Sequence, residues 1–239
     1  MSHRLAALAL APLLLAQGRL VRRRILQLPE PEGERSGMAG EGPRLRLLVA
    51  GDSAAAGVGV SRQADALSGR LVQALAPTFR VEWCLEAKTG ASTAGTIRWL
   101  SKLDGGPFDV LVTSLGVNDV TGGVRVRDWL VQQAELRELV RERLGVKLLI
   151  ISSLPPVGGF PALPQPLRWI LGRRARDFSA ALRESLEEEA DAHLLDLDFT
   201  LDPSLMAEDG FHPGPVIYQG WAERAAGIIH RAWSEDRSL

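Results

Sequence analysis

The sequence contains one cysteine, almost no net charge, and an N-terminal apolar run that is too short to cross a bilayer. Cys84 is the single cysteine, which excludes an internal disulfide framework and a zinc site built from several cysteines. The 28 Lys and Arg residues balance 29 Asp and Glu residues, and the net charge of −1 argues against a general nucleic-acid binder. The apolar run covers residues 5–16, whereas a transmembrane helix needs about 20 apolar residues.

The remaining composition is that of one globular domain. The chain has 239 residues, of which 46% are hydrophobic and 24% are charged, so it is long enough to bury a full core and too apolar to be disordered throughout. The balanced charge conceals an asymmetry along the chain. Residues 1–28 carry five arginines and no acid, whereas residues 29–239 carry 23 bases and 29 acids, so the two parts have net charges of +5 and −6.

The basic N-terminal segment allows three interpretations. The favoured one is a helix over residues 5–28 that lies in a membrane surface, with Arg22, Arg23 and Arg24 against anionic headgroups. The second is an export signal, since residues 9–11 resemble a cleavage site. The third is a helix packed on its own domain. The arginine cluster opposes export, so we expect a bacterial-type protein at the cytoplasmic face of a membrane, with a periplasmic location as the alternative.

The chain is predicted to have three parts. Residues 1–28 are the apolar and basic leader, residues 29–43 are a flexible linker rich in Pro, Gly and Glu, and residues 44–239 are the folded domain. Within that domain, short apolar runs alternate with segments of helical periodicity, which predicts a three-layer α/β/α fold with a five-stranded parallel sheet. The predicted strands are Leu45–Ala50, Phe79–Leu85, Val110–Ser114, Val146–Ser152 and His193–Leu197. The predicted helices cover residues 65–75, 93–103, 125–144, 167–190 and 216–233.

The polar residues that follow these strands form a possible catalytic set. Ligands of parallel sheets bind beyond the carboxyl ends of the strands, and Ser53, Gly90, Asn118, Asp209 and His212 all occupy such positions. A single serine or histidine there is most often a cap or a structural residue. Together, these residues supply a nucleophile, a base, an orienting acid and hydrogen-bond donors, which are the components of acyl transfer through a serine.

Each residue type suits one step of that chemistry. An imidazole is the side chain best suited to accept a proton near neutral pH, so His212 can take the proton of the Ser53 hydroxyl. Asp209, three residues earlier, can accept the other ring N–H. The amide of Asn118 and the backbone N–H groups of Gly90 and Ser53 can stabilise the oxyanion of a tetrahedral intermediate.

Four blocks of the sequence resemble the SGNH (GDSL-type) hydrolase family, and most closely its small bacterial lysophospholipase-like and thioesterase-like members. The blocks contain Gly51-Asp52-Ser53, Gly90, Gly116-Val117-Asn118-Asp119 and Asp209-Gly210-Phe211-His212-Pro213, in the family's order. The resemblance implies a flavodoxin-like sheet in residues 44–239 and hydrolysis of esters or thioesters through an acyl-serine, with neither a metal nor another cofactor. Two positions depart from the family: Ala54 replaces the leucine of the GDSL motif, and Lys88 stands where many members have a loop-bracing asparagine.

The substrate is expected to be a small acyl ester, with a lipid-like acyl group. Val157, Phe160 and Leu163 lie in a proline-rich segment after the fourth strand and are predicted to form a wall of the acyl pocket, although a packed surface loop is the alternative. Two other functions use the same fold: carbohydrate O-deacetylation, and a catalytically silent scaffold at a membrane. A nucleotide-binding Rossmann-like protein is disfavoured, because the glycines after Gly51 do not follow the G-x-G-x-x-G spacing. The acyl chain length, the leaving group and the oligomeric state stay open.

Overall fold

The computed structural model describes residues 7–197 and 202–236, which form a six-stranded mixed sheet between two layers of helices. The strands are β1 Ser36–Ala39, β2 Arg44–Gly51, β3 Arg80–Ala87, β4 Val110–Ser114, β5 Leu148–Ser152 and β6 Ala192–Leu195. The helices are α1 Ala11–Arg24, α2 Ser53–Ala56, α3 Leu67–Leu75, α4 Thr93–Leu100, α5 Val117–Thr121, α6 Val126–Leu144, α7 Leu167–Leu186 and α8 Pro215–Asp236. Short 3₁₀ turns occupy Gln63–Asp65, Val157–Gly159 and Pro203–Leu205.

The strand order in the sheet is β1-β3-β2-β4-β5-β6. Strands β2 to β6 pair in parallel, and β1 pairs antiparallel with β3. The predicted α/β class is therefore confirmed, but the predicted number of five strands is wrong. The sixth strand, β1, lies inside the segment predicted as a flexible linker. Its residues include a single large apolar side chain, Met38, which is 66% exposed, so no apolar run marks this edge strand in the sequence.

Alternation of side chains along the strands supplies one core on each face of the sheet. Leu48 and Leu111 project into the core formed with α4, α6 and α7, where Trp129 is fully buried. Leu47 and Val110 project into the opposite core, formed with α2, α3 and α8. Because both faces of the sheet are covered, the central strands carry continuous apolar runs.

The N-terminal helix α1 packs on the segment that leads into α7. The side-chain amide of Gln17 donates to the carbonyl of Gln165 at 2.7 Å, and its oxygen accepts from the N–H of Leu167 at 3.1 Å. Leu14 and Val21 are partly buried against the core beside α7. Of the helices in residues 7–197 and 202–236, none combines the length and apolar character needed to span a bilayer.

Candidate active site

The position of Ser53 depends on a close contact between the ends of β2 and β4. Ser53 begins α2, two residues after Gly51, the last residue of β2. Gly51 has a φ of +156°, and a Cβ atom there would lie 2.2 Å from the carbonyl oxygen of Ser114. The N–H of Asp52 donates to that same carbonyl at 3.0 Å. Only glycine fits at position 51, and the resulting turn places Ser53 at the carboxyl edge of the sheet.

Asp52 is a buried carboxylate directly beside this serine. Its Oδ1 accepts hydrogen bonds from the N–H of Ala54 at 3.1 Å and from the hydroxyl of Ser114 at 3.2 Å. Burial raises the pKa of Asp52 to about 6, although these hydrogen bonds lower it in part. Asp52 therefore caps α2 and joins the nucleophile turn to β4.

Ser53, His212 and Asp209 form a continuous chain of hydrogen bonds. The Nε2 atom of His212 lies 2.8 Å from the Oγ atom of Ser53, and its Nδ1 lies 2.5 Å from Oδ2 of Asp209. The other carboxylate oxygen of Asp209 accepts from the backbone N–H groups of Phe211 and His212, each at 2.9 Å. Three residues from two distant parts of the sequence thus meet in the order that nucleophilic catalysis by serine requires.

The environment of Asp209 keeps this carboxylate ionised. Burial by itself raises the pKa of Asp209, but the hydrogen bonds from the His212 ring and from the two backbone N–H groups outweigh burial and hold the pKa below its ordinary value. The side chain of Asp209 is fully buried, whereas that of His212 is 16% exposed. An ionised, buried carboxylate fixes the ring orientation and stabilises a protonated imidazole.

Asn118 lies in the first turn of α5, Gly90 lies in the loop after β3, and a hydrogen bond joins these two segments. One amide hydrogen of Asn118 donates to the carbonyl of Ala91 at 2.9 Å, and the other has no acceptor among the described residues. Gly90 has a φ of +80°, and its Cβ position faces open space, with no heavy atom within 4 Å. The backbone conformation, rather than crowding, requires glycine there. In the described part of the chain, the N–H groups of Gly90 and Ser53 also have no acceptor.

The short helix α5, which carries Asn118, is held in place by a buried polar cluster. The carboxylate of Asp119 accepts from the N–H of Thr93 at 3.1 Å and from its hydroxyl at 2.9 Å. The indole N–H of Trp129 donates to the same hydroxyl at 2.9 Å. This cluster connects α4, α5 and α6, and it thereby fixes the position of Asn118 relative to the Gly90 loop.

A pocket opens beside the Ser53 hydroxyl. Asp52, Ser53, Ser114, Asn118 and His212 supply its polar part. The other lining residues, most of them apolar, are Ala54, Val117, Pro155, Phe160, Leu197, Met206, Phe211, Pro213, Ile217 and Trp221.

The structure places one of the three residues that were predicted to form the acyl-pocket wall beside this pocket. Phe160 lines the pocket, but Val157 and Leu163 do not. Both are buried in the core beside α7, with 0% and 3% of their surface exposed, because the 3₁₀ turn at Val157–Gly159 directs this segment inward. The predicted alternative, a packed loop, describes these two residues.

Most of the apolar lining residues were not predicted from the sequence, among them Met206, Ile217 and Trp221. Ile217 and Trp221 are four residues apart on one face of α8, and Met206 precedes the His212 loop. The spacing of Ile217 and Trp221 is also that of an ordinary core-facing helix stripe, so the sequence alone does not distinguish the two roles. Among residues 7–197 and 202–236, no group of His, Cys, Asp or Glu side chains is arranged to hold a metal ion.

Comparison with known proteins assigns the family. The model of the GDSL-like lipase/acylhydrolase family matches residues 49–219. The chain belongs to this family. The four sequence blocks lie within the matched region.

Related proteins agree with this assignment. A GDSL-like esterase of Mycobacterium tuberculosis is 26% identical over 184 residues, which cover 73% of this chain and 58% of that protein. The chain thus spans little more than half the length of this curated relative. A lipolytic G-D-S-L family member from Veillonella parvula shares the fold, with a TM-score of 0.62, 16% identity, and 78% and 99% of the two chains covered. A carbohydrate acetylesterase family member from Sinorhizobium meliloti also shares the fold, with a TM-score of 0.60 and 19% identity. That match covers 78% of this chain and 98% of the other chain.

The raised pKa of Asp52 predicts a pH-dependent effect of Asp52→Asn on the stability of this GDSL-family protein. With a folded-state pKa of about 6 against an ordinary value of 3.8, the folded protein holds a proton that the unfolded chain releases, so stability is lost as the pH rises from about 4 to about 6. Asparagine keeps the acceptor oxygen but has no charge. Urea unfolding at pH 8 should show the variant more stable than the wild type, by up to about 2–3 kcal/mol, and the difference should shrink toward pH 4.

The control is Asp128→Asn, at an exposed carboxylate whose pKa is lowered by Arg125. This substitution should change the unfolding free energy little at any pH. A variant Asp52→Asn that is less stable than the wild type at pH 8 would contradict the argument.

Proposed function

We propose that this protein hydrolyses carboxylic esters or thioesters of small, lipid-like acyl compounds through an acyl-serine intermediate on Ser53. The observation that carries the proposal is the continuous chain Ser53–His212–Asp209, with distances of 2.8 and 2.5 Å, at the edge of a largely apolar pocket. Family membership agrees with this chemistry.

The proposed reaction uses the residues in two half-reactions. His212 takes the proton of the Ser53 hydroxyl as the Oγ atom attacks the carbonyl carbon, and Asp209 stabilises the imidazolium that forms. The N–H groups of Ser53 and Gly90 and the free amide hydrogen of Asn118 bind the oxyanion. His212 then protonates the departing alcohol or thiol. Water, activated by the same imidazole, attacks the acyl-serine and releases the acid.

The pocket supports an acyl group longer than acetyl. Phe160, Met206, Ile217 and Trp221 present hydrocarbon and aromatic surface beside the Ser53 hydroxyl. Burial of each methylene of an acyl chain against such surface contributes about 0.8 kcal/mol to binding. A carbohydrate O-deacetylase would use the same catalytic residues but would gain nothing from this surface, so the chain-length profile decides between the two substrates.

Substitution of the catalytic residues should abolish hydrolysis without loss of the fold. Ser53→Ala and His212→Ala are each expected to lower kcat/KM for p-nitrophenyl butyrate by at least about 10³-fold, because the nucleophile and its base act as a unit. A fluorophosphonate probe should label the wild type at Ser53 and fail to label Ser53→Ala. Circular dichroism should show the same melting behaviour for all three proteins.

The matched control is His193→Ala, at an exposed histidine on β6, which should leave kcat/KM unchanged. Turnover that survives in both Ser53→Ala and His212→Ala would disprove the mechanism. A wild-type protein that neither turns over esters nor reacts with the probe would favour the catalytically silent scaffold.

Filling the pocket should shorten the preferred acyl chain. Met206→Trp adds bulk to a partly buried lining position and is expected to lower kcat/KM for p-nitrophenyl octanoate at least about tenfold, with the acetate ester changed less than about threefold. The same substitution at Met38, which is 66% exposed on β1, serves as the control and should change neither substrate. A wild type that hydrolyses the acetate ester alone would instead support a deacetylase.

We also propose that helix α1 binds a membrane surface. Leu13, Leu15 and Leu20 are 45%, 60% and 44% exposed on its outer side. Four arginines, at positions 19, 22, 23 and 24, are exposed in its C-terminal half, and no salt bridge to a described acidic residue involves them. A helix with exposed leucines and arginines fits the boundary of an anionic bilayer.

Neutralising these arginines should weaken binding to anionic vesicles. We expect the quadruple variant Arg19→Gln, Arg22→Gln, Arg23→Gln and Arg24→Gln to lose at least about tenfold in partitioning to phosphatidylserine-containing vesicles, measured by sedimentation, since each arginine contributes about 1 kcal/mol near such a surface.

The control variant makes the same charge change at exposed arginines on other helices or directly beside one: Arg98→Gln, Arg125→Gln, Arg127→Gln and Arg143→Gln. This control should bind vesicles as the wild type does. Equal losses of vesicle binding in the two variants would show that only net charge matters and would contradict the proposal. A wild type that does not bind anionic vesicles would also reject it.

A further inference from the structure

We propose that Glu30, which lies outside the four sequence blocks, is a positioning residue for the oxyanion-binding loop that carries Gly90. This inference rests on the proposed function, because it concerns the N–H of Gly90 as an oxyanion donor. It assigns a role in the reaction to a residue of segment 29–43, which is predicted from the sequence to be a flexible linker.

The Gly90 loop, residues 88–92, has few internal contacts of its own. Lys88, Thr89 and Gly90 are all exposed. The C-terminal part of the loop is held by the bond from Asn118 to Ala91 and by the first turn of α4. Nearer Gly90, the backbone bonds run from the N–H of Lys88 to the carbonyl of Gly51, at 3.1 Å, and from the N–H of Ala91 to the carbonyl of Lys88, at 3.0 Å. A tight turn at an exposed position needs further contacts if it is to hold one N–H group in a fixed direction.

Glu30 supplies those contacts. Its Oε1 accepts from both the backbone N–H and the side-chain hydroxyl of Thr89, each at 2.8 Å. Its Oε2 accepts from the guanidinium of Arg35 at 3.0 Å. Hydrogen bonds to an ionised carboxylate are about twice as strong as those between neutral groups. The residue immediately before Gly90 is therefore held through both of its donors.

The ionised state of Glu30 agrees with this arrangement. Partial burial by itself raises the pKa of Glu30, but the hydrogen bonds from Thr89 and the nearby charge of Arg35 outweigh it and leave the pKa below its ordinary value. The carboxylate therefore keeps its charge, and with it the strength of both bonds to Thr89, throughout the neutral range in which a histidine base operates.

Glu30 is itself anchored to the sheet. Arg35, its ion-pair partner, donates through its second guanidinium nitrogen to the carbonyl of Ala87, the last residue of β3. The carbonyl of Arg35 also accepts from the N–H of Leu85 at 2.7 Å. The chain from Glu30 to Arg35 thus connects the Gly90 loop to the strand from which that loop emerges.

The same segment contacts the nucleophile side of the site. Glu32 exchanges backbone hydrogen bonds with the loop after α2: its N–H donates to Ser61 at 3.2 Å, and its carbonyl accepts from Gln63 at 2.8 Å. Pro31 lies so close to Gly57 that a Cβ there would be 2.8 Å from the proline ring. Residues 30–35 therefore contact both the Gly90 loop and the segment that follows α2, the helix that begins with Ser53.

The role of Glu30 also explains how the Gly90 loop is held although Lys88 replaces the asparagine of many family members. The side chain of Lys88 makes no hydrogen bond within the described chain, so it does not brace the loop from inside. The brace comes instead from Glu30, 59 positions away from Thr89 in the sequence.

The test compares Glu30→Ala and Glu30→Gln with the wild type on p-nitrophenyl butyrate. Glu30→Ala removes the acceptor and is expected to lower kcat about 10- to 100-fold with KM changed less than about threefold, since one oxyanion donor is worth roughly 10²–10³ in kcat. The rate of fluorophosphonate labelling at Ser53 should fall in parallel. Glu30→Gln keeps an acceptor oxygen for Thr89 and should recover kcat to within about fivefold of the wild type.

Two controls separate positioning from stability and from the proposed function. Glu34→Ala makes the same change at an exposed position of the same segment and should leave kcat unchanged. Amide hydrogen exchange without substrate should show faster exchange at residues 88–91 in Glu30→Ala, while the exchange of the central strands stays as in the wild type.

The outcomes are distinct. Wild-type turnover that Ser53→Ala abolishes, together with an unchanged kcat in Glu30→Ala, would overturn the role of Glu30 alone. The role of Glu30 would also be overturned if the fall in kcat of Glu30→Ala matched the fraction of unfolded protein and disappeared on cooling. A wild type without ester turnover would reject the proposed function, and the positioning role with it.

Discussion

The close contact between the ends of β2 and β4 determines the geometry of the whole site. A carbonyl of β4 lies where the side chain of residue 51 would be, so the chain turns at Gly51 and presents Ser53 at the edge of the sheet. The Asp52 carboxylate then bonds across the same junction to Ser114. Any side chain at position 51 would push the two strands apart, and the serine would move away from His212 with them.

Two buried carboxylates keep the loops around this junction in place. Asp52 links the turn that carries Ser53 to β4 by hydrogen bonds, and Asp119 links α5, which carries Asn118, to α4 through Thr93. Burial raises the pKa of both. Asp209 differs, because three hydrogen bonds compensate its burial and leave it ionised beside His212. Of these three carboxylates, only Asp209 has surroundings that favour its ionised form, and Asp209 is the one that contacts the His212 ring.

The substrate side of the site is built from segments that are far apart in the chain. Phe160 comes from the proline-rich loop, Met206 from the segment before the histidine loop, and Trp221 from the last helix. The segment from Glu30 to Arg35 adds a brace from the other end of the chain. The N-terminal helix packs beside α7 and leaves leucines and arginines outward. The proposed catalytic residues and the proposed acyl pocket therefore share one site.

The sequence by itself determined the α/β class, because strands buried on both faces are continuously apolar and helices are periodic, and both patterns are local. It also predicted Ser53, Asn118, Asp209 and His212 as site residues, because the four blocks that contain them keep a fixed order along the chain. Only the tertiary structure decided the rest. Strand β1 has no apolar pattern, because an edge strand is held by backbone bonds that any residue can make. Val157 and Leu163 turned into the core while Ile217 and Trp221 faced the pocket, because an apolar side chain carries no signal of which apolar surface it meets. The bond from Glu30 to Thr89 joins residues 59 positions apart, and only the path of the chain brings them together.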